Sequence, residues 1–273
     1  MGKIYVCPTP LGNLEDMTFR VIDRLKKVDF IAAEDTRHSI KLLNHFEINT
    51  SMISYHEHNE MSRSGEIIER IKKGEDCALI SDAGMPGISD PGQILIKKAI
   101  EVNIEVEVLS GGSAFLLALV ASGFNTDRFV FEGFLPRKSG EKIDRLIELK
   151  EERRTLIFYE APHRIIKTLK DLLKVFYDRE ISISREITKK FEEHIRGNIS
   201  EVIDKLNEGT VKGEFVLVVK GYEGIIEKKE EITIEEQLKI FLEEGYSKKE
   251  AVKLTAKKLN ARRNEVYQKS LEI

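Results

Sequence analysis

Over the first 120 residues, short apolar runs alternate with stretches whose apolar positions recur at helical spacing. Lys3–Cys7, Phe30–Ala33, Met52–Tyr55, Cys77–Ser81 and Val106–Leu109 read as strands. These runs are apolar at nearly every position rather than at every second one, the mark of strands covered on both faces. Between them, Met17–Val28 places Met17, Val21, Leu25 and Val28 on one helical face, Glu66–Lys72 does the same with Ile67, Ile68 and Ile71, and Gln93–Ile100 is amphipathic. Strand-helix alternation of this kind predicts a mostly parallel, helix-covered sheet over residues 1–122. The rhythm changes after Gly123. Phe129–Phe134, Thr155–Tyr159, Ile181–Ser184, His194–Arg196 and Phe215–Val219 read as strands, with helices near Lys142–Glu152 and Ile165–Phe176. Links as short as that from Ser184 to His194 suit antiparallel pairing, so residues 123–222 read as a second α/β domain with a mixed sheet. From 223 onward the chain is charged: Glu227–Glu231 reads as a linker, and Ile234–Glu243, Lys248–Leu259 and Arg263–Leu271 as helices, with Gly245 as a stop and Ser247 as an N-cap. The fold class expected is α/β, two α/β domains plus a small C-terminal helical module.

Composition narrows the class without choosing a function. A chain of 273 residues, 41% apolar and with few prolines, is large enough to bury cores without disulfides or metals. No apolar run approaches the roughly 18 residues of a membrane span. The first residues read as a strand rather than a signal peptide. Cys7 and Cys77 lie inside apolar runs and read as reduced core residues, so a cytoplasmic location is expected. A net charge of -3 excludes a uniformly basic coat but leaves room for a local basic patch.

In open parallel sheets ligands bind beyond the carboxyl ends of the strands, so the residues following each strand carry the chemistry. After the first strand comes Pro8-Thr9-Pro10-Leu11-Gly12-Asn13-Leu14-Glu15-Asp16, a rigid turn in which Asp16 can cap the following helix. Glu34-Asp35-Thr36-Arg37-His38 gathers acids and bases after the second. His56-Glu57-His58-Asn59-Glu60 follows the third; two histidines two apart on an extended segment share a side, but they lack the metalloprotease spacing, and no metal site is expected. The fourth strand ends in Ser81-Asp82-Ala83-Gly84-Met85-Pro86-Gly87-Ile88-Ser89-Asp90-Pro91-Gly92. This shaped loop exposes backbone groups, yet it is neither a P-loop nor a Gly-x-Gly-x-x-Gly turn. Ser110-Gly111-Gly112-Ser113-Ala114 opens a helix with its amides toward the same edge. In the second domain Tyr159-Glu160-Ala161-Pro162-His163-Arg164 ends a strand.

Together these segments, with Glu132-Gly133-Phe134-Leu135-Pro136-Arg137-Lys138, resemble the ribosomal RNA small subunit methyltransferase I family of the tetrapyrrole methylase superfamily, in order and along essentially the whole chain. The resemblance implies S-adenosylmethionine bound in a cofactor cleft between the two α/β domains, a homodimer, and 2′-O-methylation of a cytidine ribose in the decoding region of 16S rRNA. It implies cofactor contacts from Pro10, Leu11, Gly12, Asp82, Ala83, Gly84, Ile88, Ser113, Ala114, Tyr159, Gly213, Glu214 and Phe215. Two positions depart from the family's pattern: Met85, where Thr is usual, and Ser110-Gly111-Gly112-Ser113, where Pro-Gly-Pro-Ser is usual.

A neutral 2′-hydroxyl must lose its proton as it attacks, so a general base is needed. The candidates are Glu34, Asp35, His56, Glu160 and His163, with Asp35 and Glu160 favoured for their basic neighbours. Phosphate contacts are expected from Arg37, Arg137, Lys138, Arg164, Lys189 and Lys190. The tail adds Lys248, Lys249, Lys253, Lys257, Lys258, Arg262, Arg263 and Lys269 against only Glu250 and Glu265 within 247–269. Three other readings compete: a methyltransferase for a small molecule such as a tetrapyrrole, a non-catalytic RNA-binding assembly factor, and a metal hydrolase on His56 and His58, which would require a bound metal.

Overall fold

The structure is a computed structural model that describes residues 2–209, 211–224, 233–243, 245–259 and 261–271. They fall into two compact units, one up to Glu223 and one from Gly224.

The first sheet holds β1 (Ile4–Val6), β2 (Phe30–Ala33), β3 (Met52–Ser54), β4 (Cys77–Ile80) and β5 (Val106–Val108), in the order β3-β2-β4-β1-β5 and parallel throughout. Successive strand residues feed opposite faces. Ile4, Val6, Phe30, Ala32 and Leu79 join one core with Ile67, Ile71 and Leu95; Tyr5, Cys7, Ile31, Ala78 and Ile80 join another with Val21, Leu25 and Leu43. Both faces are covered, which is why the runs are continuously apolar. The covering helices are α1 (Phe19–Lys27), α2 (Thr36–His45), α3 (Glu60–Lys72) and α4 (Gln93–Glu101).

Several boundaries move from the sequence reading. Asp16 does not cap α1: it ends a 3₁₀ turn over Leu14–Asp16, and Thr18 is the cap, its hydroxyl accepting from the Val21 N–H at 3.2 Å. α3 begins at Glu60, a turn and a half earlier than its apolar stripe suggests. His56, Glu57 and His58 lie in the turn before it, not on an extended segment. α2 and α8 (Ile199–Asn207) were not expected at all.

α5 (Ala114–Ser122) is apolar on all sides and links the two halves. It follows the first sheet, yet its Ala118 and Leu119 pack with Ile157, Val216 and Val218 of the second. That second sheet holds β6 (Phe129–Phe134), β7 (Thr155–Glu160), β8 (Glu180–Arg185), β9 (Glu193–Asn198) and β10 (Phe215–Val219), ordered β6-β7-β10-β8-β9. β6 and β7 are parallel and the remaining pairs antiparallel. α6 (Ser139–Leu149), α7 (Ile165–Phe176) and α8 cover its other face through Leu146, Leu169, Leu172 and Val202.

The tail unit has its own small core of Leu238, Ala251, Val252 and Val266, from α9 (Ile234–Glu243), α10 (Lys248–Lys258) and α11 (Arg263–Ser270). Ser247 and Glu250 form a capping box, and Gly245 takes φ +89. The expected linker Glu227–Glu231 lies outside the described residues. No helix among the described residues is long and apolar enough to cross a membrane.

Candidate active site

The carboxyl ends of β1, β4 and β5 face the ends of β7 and β10 across a cavity of about 330 Å³. The loops that shape it are fixed to one another. Thr9 and Gly84 exchange backbone hydrogen bonds of 2.9 and 3.0 Å, and the Thr9 hydroxyl donates to the Ser81 carbonyl at 3.0 Å. Gly84 sits at φ +80, a conformation L side chains rarely adopt, and a Cβ there would press on Leu11 Cδ2 at 3.1 Å. Ser89 holds φ +62 immediately before Asp90.

The cavity combines negative and apolar walls. Glu34, Asp82 and Asp90 supply three carboxylates; Met85, Ile88, Phe134 and Phe215 supply apolar surface. The Asp82 N–H donates to Glu34 Oε2 at 3.2 Å, and the Asp35 N–H donates to Asp82 Oδ1 at 3.2 Å, tying the ends of β2 and β4 together. Burial, and then the charges of Glu34 and Asp82, push the Asp90 carboxyl up to about 7. Burial also raises the Glu34 carboxyl, against the Asp82 N–H that favours its anion. The Tyr159 hydroxyl is pushed up to about 12 by burial, and its ring meets Phe134 edge-on at 5.5 Å.

Of the residues expected around a cofactor, Leu11, Asp82, Ala83, Gly84, Ile88, Ser113, Ala114, Tyr159, Glu214 and Phe215 line this cavity. Pro10 and Gly12 instead line a second chamber of about 280 Å³ that shares Asp82 with the first. Gly213 lines neither; at φ +91 it backs onto the Glu186 side chain. Met85, named above only as a departure, forms part of the wall, as do Asp90, Phe134 and Val216, which the sequence reading did not single out.

The general-base candidates separate by geometry. Glu34 and Glu160 line the cavity; Asp35, His56 and His163 line neither chamber. Asp35 caps α2 through the Arg37 N–H at 2.8 Å and accepts from Arg37 Nε and Nη2 at 3.1 and 2.8 Å, and that arginine holds its carboxyl well below the usual carboxylate range. Glu160 is 2% exposed. Its oxygens accept from the Ala161 N–H at 2.9 Å and the Thr168 hydroxyl at 2.6 Å, with Arg164 Nε at 3.1 Å. His56 hydrogen-bonds Asn59 while its buried Nδ1 lacks a partner, and its ring lies 5.9 Å from that of His58. His163 is exposed. No cluster of three or more metal-ligating side chains occurs among the described residues.

The basic residues divide as well. Arg164 also donates to the Leu135 carbonyl at 2.8 Å, and Lys189 pairs with Glu186 and Glu214, with its stem against Gly12. Arg37 and Lys138 pair with Asp35 and Glu141 on the surface. Arg137 and Lys190 are exposed, Lys190 lying over the Phe191 ring. In the tail, Lys248, Lys249 and Arg263 surround a hollow of about 570 Å³ with Tyr267, and Lys253, Lys257 and Arg262 are exposed.

Residues 3–203 match the profile of the Tetrapyrrole (Corrin/Porphyrin) Methylases. The chain belongs to that family. Within it, the chain groups with the ribosomal RNA small subunit methyltransferase I proteins. It is 49% identical to the one from Bacillus subtilis (strain 168) over 98% of this chain and 93% of that protein, and 45% identical to the one from Synechocystis sp. over 100% and 99%. Among solved structures of the family fold, the methyltransferase CobJ superposes with a TM-score of 0.62 at 18% identity, covering 81% of this chain and 95% of that one. A uroporphyrin-III C-methyl transferase from Thermus thermophilus, complexed with S-adenosyl homocysteine, gives 0.57 at 16% identity, covering 80% and 97%. The family and fold expected from the sequence motifs are therefore those found.

Proposed function

We propose that this chain uses S-adenosylmethionine to methylate ribosomal RNA of the small subunit, at the ribose 2′-oxygen of a cytidine in the decoding region of 16S rRNA. The observation that carries the reading is the cavity: three carboxylates beneath apolar walls, in a fold whose full-length relatives are named small-subunit rRNA methyltransferases. The residues fit this donor. Its volume lies within the range of small-molecule sites, Glu34, Asp82 and Asp90 suit a sulfonium and an ammonium, and Ile88, Met85 and Phe215 suit an adenine. When bound, S-adenosylmethionine supplies the methyl group and a positive sulfur whose charge is lost on transfer.

The chain's own part is positioning, charge and proton removal. The stapled loops after β1 and β4 hold the donor side rigid, which favours in-line approach of the ribose oxygen. Glu34 takes the proton of that hydroxyl. It faces the cavity with a raised proton affinity, whereas Asp35 lines neither chamber and is held as an anion by Arg37, and Glu160 is engaged by the Ala161 N–H, the Thr168 hydroxyl and Arg164. Phosphates of the RNA are met by Arg137, Lys190 and the basic tail. A working homodimer is part of the reading, and the exposed Leu116, Leu117 and Val120 of α5 offer apolar surface for a second copy; sedimentation measures it. A ribosomal substrate places the protein in the cytoplasm.

The test is transfer of labelled methyl to 30S subunits lacking the modification, with mass spectrometry of the 16S rRNA locating the product. Glu34→Gln should lower kcat by roughly 10²–10⁴-fold, well beyond the loss of S-adenosylmethionine affinity that follows from removing one of three carboxylates. Near-normal turnover in that variant would end the case for Glu34. Transfer to a precorrin but not to 30S would support the tetrapyrrole reading instead.

A further inference from the structure

Phe191 is 71% exposed on the turn between β8 and β9, and the chemistry above makes no use of it. A lone exposed aromatic is ordinary on a protein surface. This one differs because the turn that carries it is clamped. Glu186 and Thr188 hold φ +51 and +66, left-handed values that persist only where the surroundings over-determine them. Ile187, between them, is buried in the core with Ile157 and Val216. The Glu192 carboxylate accepts from the Thr188 N–H at 2.8 Å and meets His194 Nε2 at 2.9 Å, and the Glu192 N–H donates to the Lys189 carbonyl at 3.1 Å. Lys189 then straps the turn to the cleft. Its Nζ lies 3.0 Å from Glu186 and 2.9 Å from Glu214, which lines the donor cavity, and its stem lies against Gly12, which lines the second chamber. Phe191 follows two residues later, within about 7 Å of chain.

Lys190, whose Nζ stands 5.6 Å from the ring centre, is the one charge of the turn without an ion pair among the described residues. The acids that follow the ring are engaged, Glu192 as above and Glu193 with Arg185 at 3.5 Å. Gly12, which the strap touches, shares the second chamber with His38 and Lys41, both exposed and also without an ion pair among the described residues. A rigid aromatic ring beside unpaired cations suits single-stranded nucleic acid, in which every base offers a π-face and every link a phosphate. A protein interface is a poorer match, because its core excludes lysine. We infer that Phe191 stacks on an unpaired base of the RNA strand entering the cleft, with Lys190 on the adjoining phosphate and His38 and Lys41 continuing the backbone track. Phe191 lines neither chamber, so this base is a neighbour of the acceptor nucleotide and not the acceptor itself. The inference rests on the proposed function and adds to it a sequence-tolerant grip on the flanking strand. Lys189 is a positioning residue in this arrangement: it fixes the turn that presents the ring.

The chain contains no tryptophan, so Phe191→Trp places a single fluorescent reporter at the site. Titration of that variant with a single-stranded oligoribonucleotide of about twelve nucleotides should quench the fluorescence, with an affinity equal to that of wild-type protein. Phe191→Ala should weaken binding of the full chain to 30S subunits by about tenfold, the size of one lost stack, and raise their KM in methyl transfer to match. Its S-adenosylmethionine affinity and melting temperature should not change. Phe191→Leu should behave as Phe191→Ala, because it keeps apolar bulk and loses the flat face. Wild-type RNA affinity in either of these variants would overturn the inference, as would an unquenched tryptophan. A ring with only a structural role would show a lower melting temperature with RNA affinity intact, and a ring buried between two copies of the chain would show altered sedimentation with RNA affinity intact; both results overturn it. Failure of wild-type protein to transfer methyl to 30S subunits, with quenching preserved, would instead strike the proposed function.

Discussion

Asp90 is the residue whose chemistry departs furthest from its ordinary behaviour inside the donor cavity. Burial and the neighbouring Glu34 and Asp82 push its carboxyl up to about 7. A cation favours its ionised form, so S-adenosylmethionine should bind more tightly as pH rises through that range and release a fraction of a proton near neutrality. Calorimetry in two buffers of different ionisation heat measures that release, and Asp90→Asn should abolish it. S-adenosylhomocysteine, whose sulfur is neutral, should show a weaker pH dependence, which helps the product leave. Stability carries the same sign. A carboxyl raised in the folded state supports the fold below its unfolded value and loses that support as pH climbs through about 7, so Asp90→Asn should raise the melting temperature of ligand-free protein more at pH 8 than at pH 5.5. The sequence revealed the loop but not this proton: its glycines and prolines mark a shaped segment, while the charges that perturb Asp90 arrive from β2 and from the start of the loop itself. Asp35 and Glu160 differ from Glu34 in their basic neighbours. The basic neighbours that made them look like activated acids, Arg37 and Arg164, are the groups that occupy them.

Among the elements, the strands were legible and the polar helices were not. A strand covered on both faces must be apolar throughout, and every such run became a strand. α2 starts on polar residues and buries little beyond Ser39 and Leu43, so its stripe is too thin to read. α8 is announced by a capping box, Asn198 with Glu201, which would have found it. Helices α6 and α7 carry a buried polar chain that no periodicity discloses: Lys142, 3% exposed, pairs with Asp171 at 2.5 Å and donates to Thr168, whose hydroxyl donates to Glu160 at the cavity edge. Lys142→Ala leaves the half-buried Asp171 carboxylate without its cation and should cost somewhat less in urea unfolding than the roughly 3–5 kcal/mol of a fully buried pair. Lys142→Met paired with Asp171→Leu should recover much of the loss, because both charges go together.

For the molecule as a whole, the decisive separation is between the unit up to Glu223, which contains the whole donor cavity, and the unit from Gly224, which has a core of its own. Removing 225–273 should therefore spare S-adenosylmethionine affinity and weaken binding to 30S subunits, with a shallower fall of affinity with salt as phosphate contacts are lost. Unchanged affinity for the subunit at moderate salt would count against a role of the tail in RNA binding. The composition hinted at this division through the excess of lysine and arginine in 247–269, although the whole chain carries a charge of only -3.

α5 gives the architecture a mechanical property. Its first residue, Ala114, lines the donor cavity, and its body is riveted to β7 and β10 of the opposite sheet through Ala118 and Leu119. The jaws of the cleft are thus joined by a strut anchored in one and opening into the other. A change in how Ala118 or Leu119 packs on the second sheet would therefore be felt at the cavity wall that Ala114 forms.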